Sequence, residues 1–149
     1  MNEEIKPTPP TQNDRIMAAL AHLCVILPMT GIIGSIVIWA TQRDKSQFVA
    51  FQALQAIVYH LLSILAWFAG SACYACSFFA LVLPFSGWSD SDGLYSFLSL
   101  TPFVVFGLLA IVFIVYILYG IVAAVMVLQG KDFRYIFIGN WLERYLQQK

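Results

Sequence analysis

Apolar positions fall into three long blocks, Ile16 to Thr41, Phe48 to Pro84 and Leu100 to Leu128, separated by short polar stretches. The third runs from Thr101 to Leu128 without a charged residue, longer than the ~20 residues that carry a helix across a ~30 Å hydrocarbon core. It predicts a spanning helix. The second, at ~1.5 Å per residue, predicts a helix of about 54 Å, which must tilt, bend near Gly70 and Ser71, or project from the bilayer. The first is interrupted by "PMTG" at 28–31, where Pro28 lacks an amide proton and Gly31 is a natural helix terminator. The pieces on either side, Ile16 to Leu27 and Ile32 to Thr41, are about 18 Å long at most, too short to span alone. They form either one broken span or a hairpin that dips into the membrane and returns.

Polar residues inside the second block are patterned. At ~100° per residue, Gln52, Gln55, Tyr59, Ser63, Ala66, Gly70, Cys73 and Ser77 share one stripe, opposite Leu54, Ile57, Leu61, Leu65, Phe68 and Phe79. The stripe predicts a protein-facing side, small and polar, that packs against other helices or lines a path for a solute. The third block offers a matching surface in Tyr116, Gly120, Ala123, Ala124 and Val127, with a small-xxx-small pair at Gly120 and Ala124. The candidate packing or path-lining residues are therefore Gln52, Gln55, Tyr59, Ser63, Gly70, Tyr116, Gly120 and Ala124.

The two ends differ from the blocks and from each other. Residues 1–13 hold three prolines and opposed charges, a composition that predicts a disordered tail ahead of a single helical domain at 14–149. From Asn140, Trp141, Leu142, Tyr145 and Leu146 share one helical face while Glu143, Arg144 and Gln147 face away. That pattern predicts an amphipathic helix at the membrane interface, anchored by Trp141, Arg144 and Tyr145, or one packed on the helix ends.

Composition supports the membrane reading: 60% of the 149 residues are hydrophobic and 11% charged, against about a quarter charged in soluble domains. The formal net charge is zero, so there is no electrostatic footprint for nucleic acid. No cleavage pattern follows the first apolar stretch, and a signal peptide is not expected. A hairpin in the first block places all eight Lys and Arg on one side of the membrane, whereas a broken span moves Lys6 and Arg15 to the other. The positive-inside rule favours the hairpin, with both termini cytoplasmic.

Candidate chemistry is sparse. His22 and His60 lack a carboxylate nearby in sequence, "CYAC" at 73–76 lacks a second ligand pair and reads as two small packing residues, and Asp90 and Asp92 flank Ser91 in a loop too poor in oxygens for calcium. No nucleophile-base-acid set or phosphate loop is present. No enzyme activity, metal or cofactor is expected.

The segments "DRIMAALAHLCVILP" (14–28), "GIIGSIVIWATQRDKSQFVAFQALQA" (31–56) and "GKDFRYIFIGNWLERYL" (130–146) resemble the Tic-twenty-like bacterial membrane proteins, a domain of unknown function related to a chloroplast inner-envelope import component. The most specific pieces are Ala21-His22-Leu23, Ile38-Trp39 with the charged linker, Phe51 to Gln55, and Gly130 to Tyr135. The chain departs from that pattern at Gln52, often His there, and at Ile136, often Pro. The resemblance implies a compact fold of about four membrane helices and association with protein translocation or membrane-protein assembly. It supplies no catalytic residues.

Together these readings predict an all-α integral membrane protein, a short N-terminal helical hairpin and two long helices plus a C-terminal interfacial helix, in a bacterial inner membrane. The expected function is non-enzymatic, as a translocation or assembly factor or accessory subunit working through the bilayer and other membrane proteins or its own copies. The alternative is a small transporter or channel with a polar path along Gln52, Gln55, Tyr59 and Ser63.

Overall fold

The structure is a computed structural model that describes residues 9–27, 29–82, 100–136, 138, 139, 142 and 144. Among the described residues run α1 (Gln12–Leu23), α2 (Gly31–Gln42), α3 (Gln47–Val82) and α4 (Thr101–Leu128), with a 3-10 turn at Cys24–Ile26. No strand occurs among the described residues. The helices α3 and α4 are long and apolar enough to cross a membrane. The chain separates into two compact units, one built from Met1–Leu61 and Tyr119–Lys149, the other from Leu62–Leu118.

Helix α1 begins earlier than the composition of the tail predicts. Thr11 caps it in a reciprocal box: its hydroxyl accepts from the Asp14 amide while the Asp14 carboxylate accepts from the Thr11 amide and hydroxyl. Two otherwise orphaned N–H groups at the helix start are thereby satisfied. Residues 12 and 13 belong to the helix, and Arg15 reaches back to the Pro10 carbonyl at 3.2 Å. Residues 1–8 lie outside the described part.

The first apolar block folds as a hairpin. The Ser35 hydroxyl, fully buried, donates to the Ala21 carbonyl at 2.9 Å, and Gly34 lies against the Cys24 thiol. Gly31 does not terminate a helix. It opens α2, buried so tightly that a Cβ there would overlap the Cys24 carbonyl. Glycine is needed for that approach rather than for a turn. The reversal is instead made at Met29, a non-glycine residue in the left-handed region at φ 65°. Pro28 lies outside the described residues.

In the unit of Leu62–Leu118, the later part of α3 and the earlier part of α4 pair antiparallel in a constant register. Ser63 and Tyr116 share a hydrogen bond, Trp67 meets Phe113 at 5.9 Å between ring centroids, Gly70 receives Leu109, and Tyr74 meets Phe106 at 6.3 Å. Helix α3 passes Gly70 and Ser71 without interruption. Outward from this pair stand Leu65, Phe68, Phe79, Phe103, Ile111 and Val115, all exposed. Cys73 and Cys76 are also exposed and unpaired, so they do not pack in a protein seam.

In the other unit the core gathers Ala18 of α1, Val49 of α3, Ala123 and Val127 of α4, and Phe133, Tyr135 and Ile138 beyond it. Ala21, Ala53 and Ala56 form a second small-residue contact beneath Ile38 and Trp39. Val25, from the turn after α1, seats on Gly120, where any side chain would collide with it. The small pair Gly120 and Ala124 is thus buried, with the tip of the hairpin rather than α3 over Gly120.

Gly31→Ala forces the Cys24 backbone to move and is expected to destabilise the protein by about 1–3 kcal/mol, the usual range for overpacking, read as a lower thermal transition in detergent. The hydrogen bonds from Thr11 hold the Asp14 carboxyl below the usual carboxylate range. The cap is therefore fully formed above that range and is lost as pH falls through the lowered pKa. Thr11→Ala removes the hydroxyl bond but keeps the amide one, so Asp14 should titrate higher than in the unaltered chain yet still below the ordinary carboxylate range, measurable by NMR.

Candidate functional site

About two and a half turns of α3 set the geometry. Gln52, Gln55, Ala56, Tyr59 and His60 recur at three- and four-residue spacing and so line one face. Both glutamines are completely buried. Their partner is the segment that follows α4. That helix ends in a Schellman arrangement: the Lys131 amide donates to the Met126 carbonyl, the Gly130 amide to that of Val127, and Gly130 takes φ 80°. From Lys131 to Tyr135 the chain is neither helix nor strand, yet Phe133 and Tyr135 are buried while Lys131, Asp132 and Arg134 are exposed.

A buried backbone without secondary structure must find hydrogen-bond partners elsewhere. The glutamines supply them. The Gln55 amide nitrogen donates to the Phe133 carbonyl at 3.2 Å, and its oxygen accepts from the Tyr135 amide at 3.2 Å. The Gln52 nitrogen donates to the same Phe133 carbonyl at 3.1 Å and to the Asp132 carboxylate at 3.0 Å.

This arrangement assigns the next group in line. With both Gln52 N–H donors directed at acceptors, its oxygen must accept, and it lies 3.1 Å from His22 Nε2. Nε2 therefore carries the proton, and Nδ1 is left to accept from the Tyr135 hydroxyl at 3.1 Å. His22 is held as one neutral tautomer with both nitrogens satisfied. The chain Asp132–Gln52–His22–Tyr135 draws on α3, α1 and the segment after α4.

Aromatic rings enclose it. Tyr59 stacks on Tyr135 at 4.3 Å between centroids, and Tyr119 meets Tyr135 edge-on at 5.3 Å and Phe133 at 5.8 Å. Asp132 also chelates Arg134 through two nitrogens at 3.1 and 3.0 Å, and Gly139 lies within contact of both Arg134 and Gln55. No buried side-chain nitrogen or oxygen among the described residues lacks a partner. His60 is buried against Gly31, and among the described residues no three His, Cys, Asp or Glu side chains form a group that holds a metal.

The fold thus brings together Gln52, Gln55 and Tyr59 of the candidate residues, with Gly120 and Ala124 in the same unit, while Ser63, Gly70 and Tyr116 belong to the other. The stripe does not run on as a buried seam, because Ala66 and Cys73 are exposed. Of the proposed anchors, Arg144 is helical and exposed, and Trp141 and Tyr145 lie outside the described residues. Leu142 is buried, so that position packs against protein. Sequence reasoning missed His22 as a member of the site, Asp132 as the carboxylate one glutamine away from it, and Tyr135. The signal for Asp132 and Tyr135 was the period-two alternation in "KDFRY" directly after a glycine.

Residues 13–142 match the model of the MamF/MmsF family, described as the magnetosome magnetite crystal formation protein family. The chain belongs to that family. The resemblance to Tic-twenty-like proteins is thereby overturned, and the expectation of a role in protein translocation loses its support. That resemblance rested on the segments at 14–28, 31–56 and 130–146, most of which fall within the residues that the MamF/MmsF model matches. No curated protein and no solved structure matches the chain. The MamF/MmsF match includes every member of the buried chain from His22 to Tyr135.

Gln55→Leu strips the Tyr135 amide of its acceptor and is expected to cost about 1–3 kcal/mol. Gln52→Leu and Gln55→Leu combined should destabilise beyond the sum of the singles by about 0.5 kcal/mol or more, since the Phe133 carbonyl keeps a donor in either single variant and none in the double. Thermal unfolding in detergent measures both.

Proposed function

We propose that this chain is an integral membrane protein of the magnetosome that takes part in magnetite crystal formation, acting without catalysis through contacts with the bilayer and with other membrane proteins. The match over residues 13–142 carries the reading. Placement in a membrane is supported by α3 and α4, which expose large apolar side chains from Leu61 to Phe79 and from Phe103 to Leu128. A surface of that kind exceeds what monomeric soluble proteins leave in water.

Charge orients the proposal. The connector between α3 and α4 carries Asp90 and Asp92 and no Lys or Arg, while every basic residue precedes α3 or follows α4. By the positive-inside rule the basic side is cytoplasmic and the connector faces the interior of the compartment. The connector lies outside the described residues.

A non-catalytic role is supported by the polar seam itself. Both glutamine amides are engaged with backbone, and Tyr59 lies flat against Tyr135. These side chains hold the protein together and leave few free groups for a solute path through Gln52, Gln55, Tyr59 and Ser63.

Deletion of the gene in a magnetite-forming host is expected to shift the size or number of crystals seen by electron microscopy, with rescue by the unaltered gene. The protein should also be recovered in the magnetosome membrane fraction. Unchanged crystals, or recovery only in the soluble fraction, would sink the proposal.

A further inference from the structure

The unit built from Met1–Leu61 and Tyr119–Lys149 has a charged end and an apolar end. At the charged end Asp14 bonds Ser46, Arg15 lies against Gly130 beside Lys131, and Arg43, Asp44 and Lys45 form the turn from α2 into α3. The start of α1, the end of α2, the start of α3 and the end of α4 therefore lie at one level. Trp39 stands there too, with the Arg43 guanidinium 5.3 Å from its ring, the aromatic and basic pairing of a headgroup boundary.

The other end is the tip of the α1–α2 hairpin. It lies level with His60 of α3 and Gly120 of α4, since Gly31 faces His60 and Val25 seats on Gly120. No charged residue occurs between Ile16 and Gln42. Leu20, Ile26, Leu27, Met29, Ile33 and Val37 are exposed apolar side chains of the hairpin, with Leu27 at the tip 58% accessible. Each arm has 12 residues, or about 18 Å at ~1.5 Å per residue. A hydrocarbon core is about 30 Å thick.

We propose that the α1–α2 hairpin is a wedge occupying one leaflet of an anionic bilayer, entering and leaving by the same face. The leaflet is the occupant that accounts for all three observations: an apolar tip, a length short of the full core, and bases gathered only at the open end. Acyl chains cover the exposed apolar side chains, and anionic headgroups meet Arg15, Arg43, Lys45 and Lys131. A hairpin confined to one leaflet adds cross-section to that leaflet alone, so the protein favours membrane that is convex on its charged side. The inference rests on the membrane placement proposed above and is independent of the role in magnetite formation.

The test uses the full chain in sealed vesicles of phosphatidylcholine and phosphatidylglycerol. In a background with Cys24, Cys73 and Cys76 changed to Ala, Gln12→Cys and Lys45→Cys are introduced together and treated with a membrane-impermeant maleimide. Intact-mass spectra should show molecules labelled at both positions or at neither. Leu27→Cys should stay unlabelled in vesicles and react in detergent. Molecules carrying a single label overturn the wedge in favour of a broken span. Labelling of Leu27→Cys in sealed vesicles puts the tip in water, and protection persisting in detergent makes its cover a protein; either outcome also overturns it.

Limited trypsin digestion of the unaltered chain in the same vesicles checks the result without cysteine changes: cleavage after Arg15 and after Lys45 should occur in the same molecules. Protein that fails to float with the vesicles overturns membrane placement and wedge together, whereas the labelling outcomes in floating protein overturn the wedge alone. For curvature, dye placed on Lys45→Cys by the impermeant reagent marks only outward-facing molecules in giant vesicles. These should enrich about twofold in tethers pulled outward, where the outer leaflet is convex. Equal density or depletion overturns the curvature preference.

Discussion

Where α4 gives way to an irregular chain inside an apolar protein, every backbone N–H and C=O that is buried must be met by something other than a helix. Gln52 and Gln55 meet them at Phe133 and Tyr135. An amide side chain suits the task because it carries donor and acceptor together, as a neighbouring strand would. The cost of burying two uncharged amides is offset only while the segment stays in place. The orientation of Gln52 then settles the proton on His22, and His22 settles the hydroxyl of Tyr135. One constraint on the backbone thus propagates through Gln52 to His22 of the first helix and on to Tyr135.

Packing around this network relies on residues with little bulk. Ala18, Ala21, Ala53, Ala56 and Ala123 bring α1, α3 and α4 close, and Gly31 and Gly120 admit the Cys24 carbonyl and Val25. In a lipid setting, where apolar side chains gain nothing by leaving acyl chains for protein, close backbone approach and interhelical hydrogen bonds are the forces available. The unit containing His22 uses both. In the Leu62–Leu118 unit, rings meet rings along a constant register, with the bond between Ser63 and Tyr116 as a polar fixture.

Helices were legible in the sequence because membrane-scale apolar runs leave few alternatives: both long elements could be placed from length and the lack of charge, and the interruption of the first block from Pro28 and Gly31. The glutamines were also legible as protein-facing. Their partner was not. The polar stripe pointed toward another helix, and nothing in a helical-wheel argument announces that a non-helical stretch will fold back beside it. The short alternation of "KDFRY" carried that information, but five residues are too few to outweigh the surrounding helical pattern. Gly31 misled for a different reason: glycine signals both helix ends and close contacts, and only the position of Cys24 distinguishes them. The family went unrecognised because the same segments, 14–28, 31–56 and 130–146, suggested another family of small helical membrane proteins.

The left-handed turn at Gly130 has a consequence for how this chain can vary. Gly120 is fixed by Val25 and Gly130 by the exit of the chain toward Gln52 and Gln55. The helical stretch between them is a ruler with both ends pinned. Adding or removing one residue there would swing the exit by about 100° around the helix axis, turning Phe133 and Tyr135 away from the amides that hold them. Side chains on the outer surface of that stretch are free to drift over evolution, but its length is not.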